Sequence, residues 1–278
     1  PRRFGGIVNT GYFVVISRFR YTPGIIQAST QDCHIMPGHK NRDFNRQARQ
    51  IVEQLQTLGN AEIAIHSQRF FKTGEGEYGA GDRFLGIRVP IIRKAAKQYR
   101  CSSLRTAACL LHSDFHEVRL LALILLVNRY AAQAQERESV YRLYLKNTEF
   151  INNWDLVDSS APQIVGAHLY ERERATLDTL SRSRSLWERR IAILATFYFI
   201  RREQYADTLR IAETLLSDPE DLIHKATGWM LREIGKRDVD VETEFLNRHC
   251  RLMPRTMLRY AIEKLDEPLR QRYPKGKG

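Results

Sequence analysis

The chemistry-bearing residues of this chain gather around Asn152-Asn153-Trp154-Asp155-Leu156-Val157-Asp158. Asn152 followed three positions later by Asp155 reads as a side-chain N-cap with a reciprocal acid. A helix is therefore expected to begin there, carrying Trp154 and Asp158 one turn apart on one face. An indole beside a carboxylate is expensive to bury without use, because an unpartnered charge must be solvated, paired or neutralised. A fixed carboxylate there can stabilise positive charge or orient a water, and the indole can offer its face to a cation. The plainer readings are a core tryptophan and a carboxylate spent on a salt bridge.

A recurring helix-start pattern places that stretch. Asp114-x-x-Glu117, Asn152-x-x-Asp155, Ser185-x-x-Glu188 and Ser217-x-x-Glu220 all look like capping boxes, and they fall 38, 33 and 32 residues apart. A fifth start is expected near Met253, with Pro254 just inside it. Amphipathic helices are expected to follow, over Val118–Tyr130, Trp154–Leu169, Arg189–Ile200, Leu222–Ile234 and Thr256–Leu265. Partner helices such as Glu136–Leu145 and Gln204–Leu215 lie between them. Two helices every ~35 residues is the period of an α-helical solenoid. The expected fold is all-α, a right-handed α-solenoid of HEAT-like helical pairs with a concave basic face. An irregular all-α domain is the alternative.

Position within the repeat then links distant residues. Asp158 lies six residues after its cap and Arg190 five after the next, so stacked repeats set these side chains beside each other. Trp229, twelve after its own cap, falls about two turns or ~10 Å further along the following helix. If the three repeats share the concave face, a carboxylate with its Trp, a guanidinium and a second Trp line one cleft. A structural inter-repeat salt bridge flanked by core aromatics is the competing reading, and Trp187 is assigned to helix packing. Arg119, Arg189, Lys225 and Arg259 recur after successive caps, where a cation opposes the helix dipole. A docked anion would resolve that conflict, which makes them candidate contacts to a DNA backbone; ordinary solvated faces remain the alternative.

A chain of 278 residues, 43% apolar and 27% charged, suits one large domain or two small ones with a proper core. Its 44 Lys and Arg against 32 Asp and Glu give +12, a bias toward polyanions. Four cysteines without a C-x-x-C pair encode neither a zinc finger nor an iron–sulfur cluster. No apolar run approaches the ~20 residues that span a bilayer. The expectation is a monomeric, cytoplasmic protein, nucleoid-associated through DNA, with no cofactor, no metal and no membrane contact. Residues 1–35 lack a sustained period before Met36 and are read as a non-native or disordered N-terminal extension, 36–272 as one HEAT-like-repeat domain and 273–278 as a basic tail. Within that domain, Lys72 to Gly81 is a Gly-rich loop without the G-K-[ST] ending of a P-loop or a preceding strand. Pro90 then falls in the first turn of a helix carrying Arg93, Lys94 and Lys97.

Four strings, in order and at compatible spacing, resemble the AlkD-type DNA alkylation repair family of HEAT-like-repeat DNA glycosylases. They are Phe84-Leu85-Gly86-Ile87 with Pro90, Asn153-Trp154-Asp155-Leu156-Val157-Asp158, Trp187-Glu188-Arg189-Arg190-Ile191-Ala192-Ile193-Leu194, and Lys225-Ala226-Thr227-Gly228-Trp229-Met230-Leu231-Arg232-Glu233. The similarity runs from about Asn41 to Asp266. It implies a catalytic carboxylate at Asp158, cleft tryptophans at Trp154 and Trp229, and a DNA-facing Arg190. A family tyrosine falls on Phe70, which lacks its hydroxyl, and Tyr78 in the Gly-rich loop is a candidate to replace it. That loop is longer than the family's connection. The implied activity is monofunctional hydrolysis of the N-glycosidic bond of cationic N3- and N7-alkylated purines in duplex DNA, without base flipping, in base excision repair. The carboxylate would stabilise an oxocarbenium-like sugar. The alternatives are a non-catalytic module binding distorted or branched DNA and a scaffold for a protein partner.

Overall fold

Apolar residues at three- and four-residue spacings make this chain helical almost throughout. The computed structural model describes residues 42–273, and the regular elements within them are helices, apart from one isolated parallel bridge between Arg83 and Phe115. The expected N-terminal extension and the end of the basic tail lie outside the described residues. Helices α1 (Arg42–Thr57) and α2 (Ala61–Phe70) precede the Gly-rich loop. Then come α3 (Val89–Gln98), α4 (Leu104–Leu111), α5 (His116–Ala132), α6 (Arg137–Lys146), α7 (Trp154–Asp158) and α8 (Ala167–Leu169). The rest of the chain forms α9 (Ala175–Ser181), α10 (Leu186–Ala195), α11 (Phe197–Ile200), α12 (Ala206–Thr214), α13 (Asp221–Gly235), α14 (Val239–His249), α15 (Arg255–Ala261) and α16 (Glu267–Arg270).

These helices pack in register with the sequence period. Along one row α5, the segment from α7 to α8, α10, α13 and α15 each touch the next, while α6, α9, α12 and α14 lie against them. The core runs between the rows, through Leu121, Leu126, Ile164, Ile193 and Leu231, all excluded from solvent.

Local chemistry shifts several expected starts. The cap of α7 is Asn153, whose side-chain oxygen accepts from the Trp154 amide at 2.9 Å; the expected cap, Asn152, instead reaches toward Asp82. At α5 the acid of the expected capping box leaves its own helix. The Glu117 carboxylate accepts from the amides of Leu85, Gly86 and Ile87 at 2.9, 2.8 and 3.2 Å, pinning Phe84-Leu85-Gly86-Ile87 to the start of α5. Ser185 does cap α10, accepting from the Glu188 amide, whereas α13 starts after Glu220 rather than Ser217.

The expected helix from Trp154 to Leu169 is broken at Pro162. Proline has no N–H to donate, and its ring crowds the carbonyl four residues back, here that of Asp158. The chain passes through a π-helical turn, Pro162–Gly166, before α8 resumes. Asp158 therefore closes a short helix instead of sitting inside a long one.

One turn recurs ahead of α5, α10 and α13. The side chain of Ser113, Ser183 or Asp218 accepts the amide two residues on, and the side chain six residues on, Arg119, Arg189 or His224, donates back to that first residue's carbonyl. Orphan backbone groups at three helix starts are satisfied by one device, repeated at the period of the fold.

Glu242 on α14 is a carboxyl buried in the core, 1% exposed, with Oε1 lacking a hydrogen-bond partner among the described residues. Burial pushes its carboxyl from 4.5 up to about 8, against the pull of Arg232. The folded chain thus keeps a proton that the unfolded chain releases near 4.5, so this group's contribution to stability falls as pH rises from about 4.5 to about 8. Glu242→Gln should come close to the wild type at pH 5 and exceed it at pH 9 by about 4 kcal/mol. Urea unfolding at the two pH values measures the gap, and parallel curves would refute the assignment.

Candidate functional site

Asp158 ends α7 and Arg190 sits in the second turn of α10, on neighbouring elements of one row. The guanidinium grips the carboxylate in a fork: Nε donates to Oδ1 and Nη2 to Oδ2, each at 2.8 Å. Its Nη1 donates to the Leu222 carbonyl in the first turn of α13 at 2.6 Å, so Arg190 ties three successive elements together. Both side chains are about 95% buried. Burial pushes the Asp158 carboxyl above its ordinary value while Arg190 pulls the other way. The fork and the Leu222 bond together use three of the guanidinium's five N–H groups, leaving two for another acceptor.

Trp154, half-buried, stands at the start of the same short helix. Phe71 covers one indole face at 5.4 Å and 20°, and Phe70 meets the ring edge-on at 6.0 Å. Phe71 stacks in turn on Phe84 at 5.1 Å, and Phe84 on His116 at 4.6 Å. Beneath this stack lies a charged hub that sequence reasoning missed. Buried His116 is 2.9 Å from Asp155 Oδ2 and 3.3 Å from Asp82 Oδ2, and Arg119 Nη2 donates to Asp82 Oδ1 at 2.7 Å. Burial by itself would lower the His116 pKa, but Asp155 and Asp82 raise it to about 9, so the ring is charged at neutral pH. The hub fastens the start of α7 to α5 and to the end of the Gly-rich loop. Nothing in the local sequence signals it, because Asp82 and Asp155 lie more than thirty residues to either side of His116.

Trp229 is placed by a separate set of contacts. Its ring meets Phe197 at 5.7 Å, its Nε1 donates to Glu233 Oε1 at 3.2 Å, and 9% of it is exposed. Against the upward push of burial, Lys236 and Arg237 keep the Glu233 carboxyl below its ordinary value. The structure thus joins Asp158 directly to Arg190 and Phe70 to Trp154, and sets Trp229 two turns along α13 from the Arg190–Leu222 bond.

The cations expected to meet DNA divide. Arg119 is buried, held by Asp82 and the Ser113 carbonyl; Arg189 is held by Asp218 at 2.5 Å and by the carbonyls of Ser183 and Arg184. These two are corrected from DNA contacts to internal ties, because the anion answering each helix-start cation is a carboxylate of the chain itself. Lys225 is more exposed and pairs with Asp221 one turn away, and Arg259 is exposed beside the Tyr260 ring. Tyr78 is brought to this site by the Gly-rich loop, hydrogen-bonded to the Trp154 side chain and edge-on to Trp187 at 6.1 Å. Among the described residues no His, Cys, Asp and Glu cluster is arranged to hold a metal ion, and no helix is long and apolar enough to cross a membrane.

A family model for DNA alkylation repair enzymes matches residues 51–265. Among solved structures, the chain is similar to one described as a predicted DNA alkylation repair enzyme from Enterococcus faecalis. The two share 18% identity over 75% of this chain and 97% of that one, with a TM-score of 0.59. At that identity the likeness speaks for the fold. No curated protein matches the chain.

Proposed function

The chain belongs to the DNA alkylation repair enzyme family, and from that premise we propose that it is a monofunctional DNA glycosylase releasing cationic N3- and N7-alkylated purines from duplex DNA. The observation that carries this reading is the forked Asp158–Arg190 pair next to the half-buried Trp154. A purine alkylated at N7 or N3 is already a good leaving group, so little general-acid help is needed. The departing base leaves an oxocarbenium-like sugar, and a carboxylate held rigid by two guanidinium bonds supplies a preorganised negative charge without reorganising. Trp154 and Trp229 would face the cationic sugar, each worth on the order of 1 kcal/mol. Arg190's two remaining N–H groups, Lys225, Arg259 and the edge of Phe70 would meet the backbone. In this reading the successive pairs form a right-handed HEAT-like solenoid whose basic concave face engages the lesion from the backbone, without extruding the base.

The deep burial of Asp158 favours a second reading, a non-catalytic module that binds distorted or branched DNA. Incubation with a duplex carrying one 7-methylguanine separates the two. Release of the free base, with affinity falling steeply as salt rises, is the expected result. Salt-sensitive binding without release would move the protein to the second reading.

A further inference from the structure

The Gly-rich loop between α2 and α3 has no role in the chemistry above, yet its course is closely defined. The Gly79 amide donates to the Lys72 carbonyl at 3.0 Å, and the Gly79 carbonyl accepts from Asp82 at 3.1 Å. Glu77 Oε2 accepts from the Gly74 amide at 3.0 Å. A Cβ at residue 79 would fall 2.4 Å from the Phe71 carbonyl, so only glycine lets the loop fold back this closely on the end of α2, and it then lies in ordinary contact with the Asn153 side chain at the α7 cap. The residue before that contact is Tyr78.

Tyr78 is half-buried between two tryptophans of successive row elements. Its ring is edge-on to Trp187 at 6.1 Å, and its hydroxyl is hydrogen-bonded to the Trp154 side chain. An indole N–H can only donate, so the phenol oxygen accepts that bond and keeps its own proton for a further acceptor. Donation by the indole also polarises the phenol and strengthens its outgoing bond. The neighbouring charges that act on this hydroxyl are Asp155, Glu77 and Arg190. Asp155 is engaged by His116 and Glu77 by the loop, while Arg190 retains two N–H groups. A neutral O–H donor therefore stands beside Trp154 within the field of the Arg190 guanidinium, an arrangement suited to a singly charged oxyanion.

We propose that the loop makes Tyr78 a substrate-contacting residue, its hydroxyl accepting from Trp154 and donating, alongside Arg190, to a backbone phosphate oxygen of bound DNA. This rests on the DNA reading above but not on base release. Burial pushes the Tyr78 phenol above its ordinary value, so its proton is retained through the neutral range.

The test uses the full chain and duplexes carrying a stable tetrahydrofuran abasic-site analogue. One set has every phosphate intact, and in others a single phosphate near the analogue is replaced by a neutral methylphosphonate. Tyr78→Phe keeps the ring and its packing but removes the donor, and should weaken binding to the all-phosphate duplex roughly tenfold. At one methylphosphonate position, wild type and variant should bind alike, because the acceptor charge is already gone. A merely structural role for the hydroxyl would weaken binding equally at every position, and that outcome, or no weakening at all, overturns the proposal. Binding here, with no release of the base from the 7-methylguanine duplex, would remove the glycosylase reading and leave this contact standing. No binding of any duplex by the wild type would overturn the DNA reading and the contact together.

Discussion

Asp158→Asn should lower the rate of alkylpurine release by at least about a hundredfold, the scale on which a preorganised electrostatic stabiliser acts. The difficulty lies in what else the substitution does. Asp158 is buried and forked onto Arg190, and removing one partner of a buried ion pair leaves the other charge uncompensated, at a typical cost of about 3–5 kcal/mol. An amide accepts from Arg190 at one end, while its NH2 faces a guanidinium N–H at the other. A lost rate could therefore report a lost fold.

A second variant separates the two effects. Asp158→Asn combined with Arg190→Gln replaces the ion pair by two neutral side chains that can still hydrogen-bond, and replacing both partners typically recovers much of what losing one takes away. The double variant should unfold in urea near the wild-type midpoint and still fail to release 7-methylguanine. If release returns together with stability, Asp158 is a structural ion pair and the catalytic assignment is wrong. The cycle also bears on why the pair is legible in the sequence. Asp158 lies six residues after Asn152 and Arg190 five after Ser185, and a repeat of ~35 residues brings equivalent positions of adjacent elements side by side.

The repeat revealed less where a residue's partner lies outside its own period. An acid three positions after a cap shows that a carboxylate is available but not which amide it takes. Glu188 leaves the start of α10 to its cap Ser185 and bonds Ser183 and Thr148, while Glu117 serves the Leu85–Ile87 amides. Arg119 and Arg189 look like surface cations because the acids beside them in the sequence, Glu117 and Glu188, serve other donors and do not pair with them. Their partners, Asp82 and Asp218, arrive from a loop and from the next turn. The break in the helix after Trp154 was legible in principle: Pro162 cannot sit in a helix interior without disturbing it, and apolar periodicity alone passes over it. His116 and Phe71 carried no signal, since a lone His and a Phe on amphipathic helices read as ordinary core.

Gly228→Ala should destabilise the protein by about 3 kcal/mol, the opposite sign from what helix propensity predicts. In an open helix the change to Ala is favourable by about 1 kcal/mol. Here a Cβ would lie 2.3 Å from the Met257 carbonyl oxygen and 2.6 Å from Tyr260 Cβ, so α15 would have to move away from α13. The same close approach recurs in the row element that carries Trp154 and Asp158: a Cβ on Gly166 would lie 2.2 Å from the Ala195 carbonyl and 2.8 Å from Tyr198 Cβ. In both places a glycine lets the next element settle against it at the carbonyl three residues before a tyrosine. The glycine of Lys225-Ala226-Thr227-Gly228-Trp229 thus fixes how closely α15 backs the helix carrying Trp229, a packing requirement sitting within a string that otherwise reads as chemistry. Urea unfolding of the single variant is the measurement. An unchanged or raised midpoint would mean that α15 yields freely, and the spacing of that row would then not depend on the glycine.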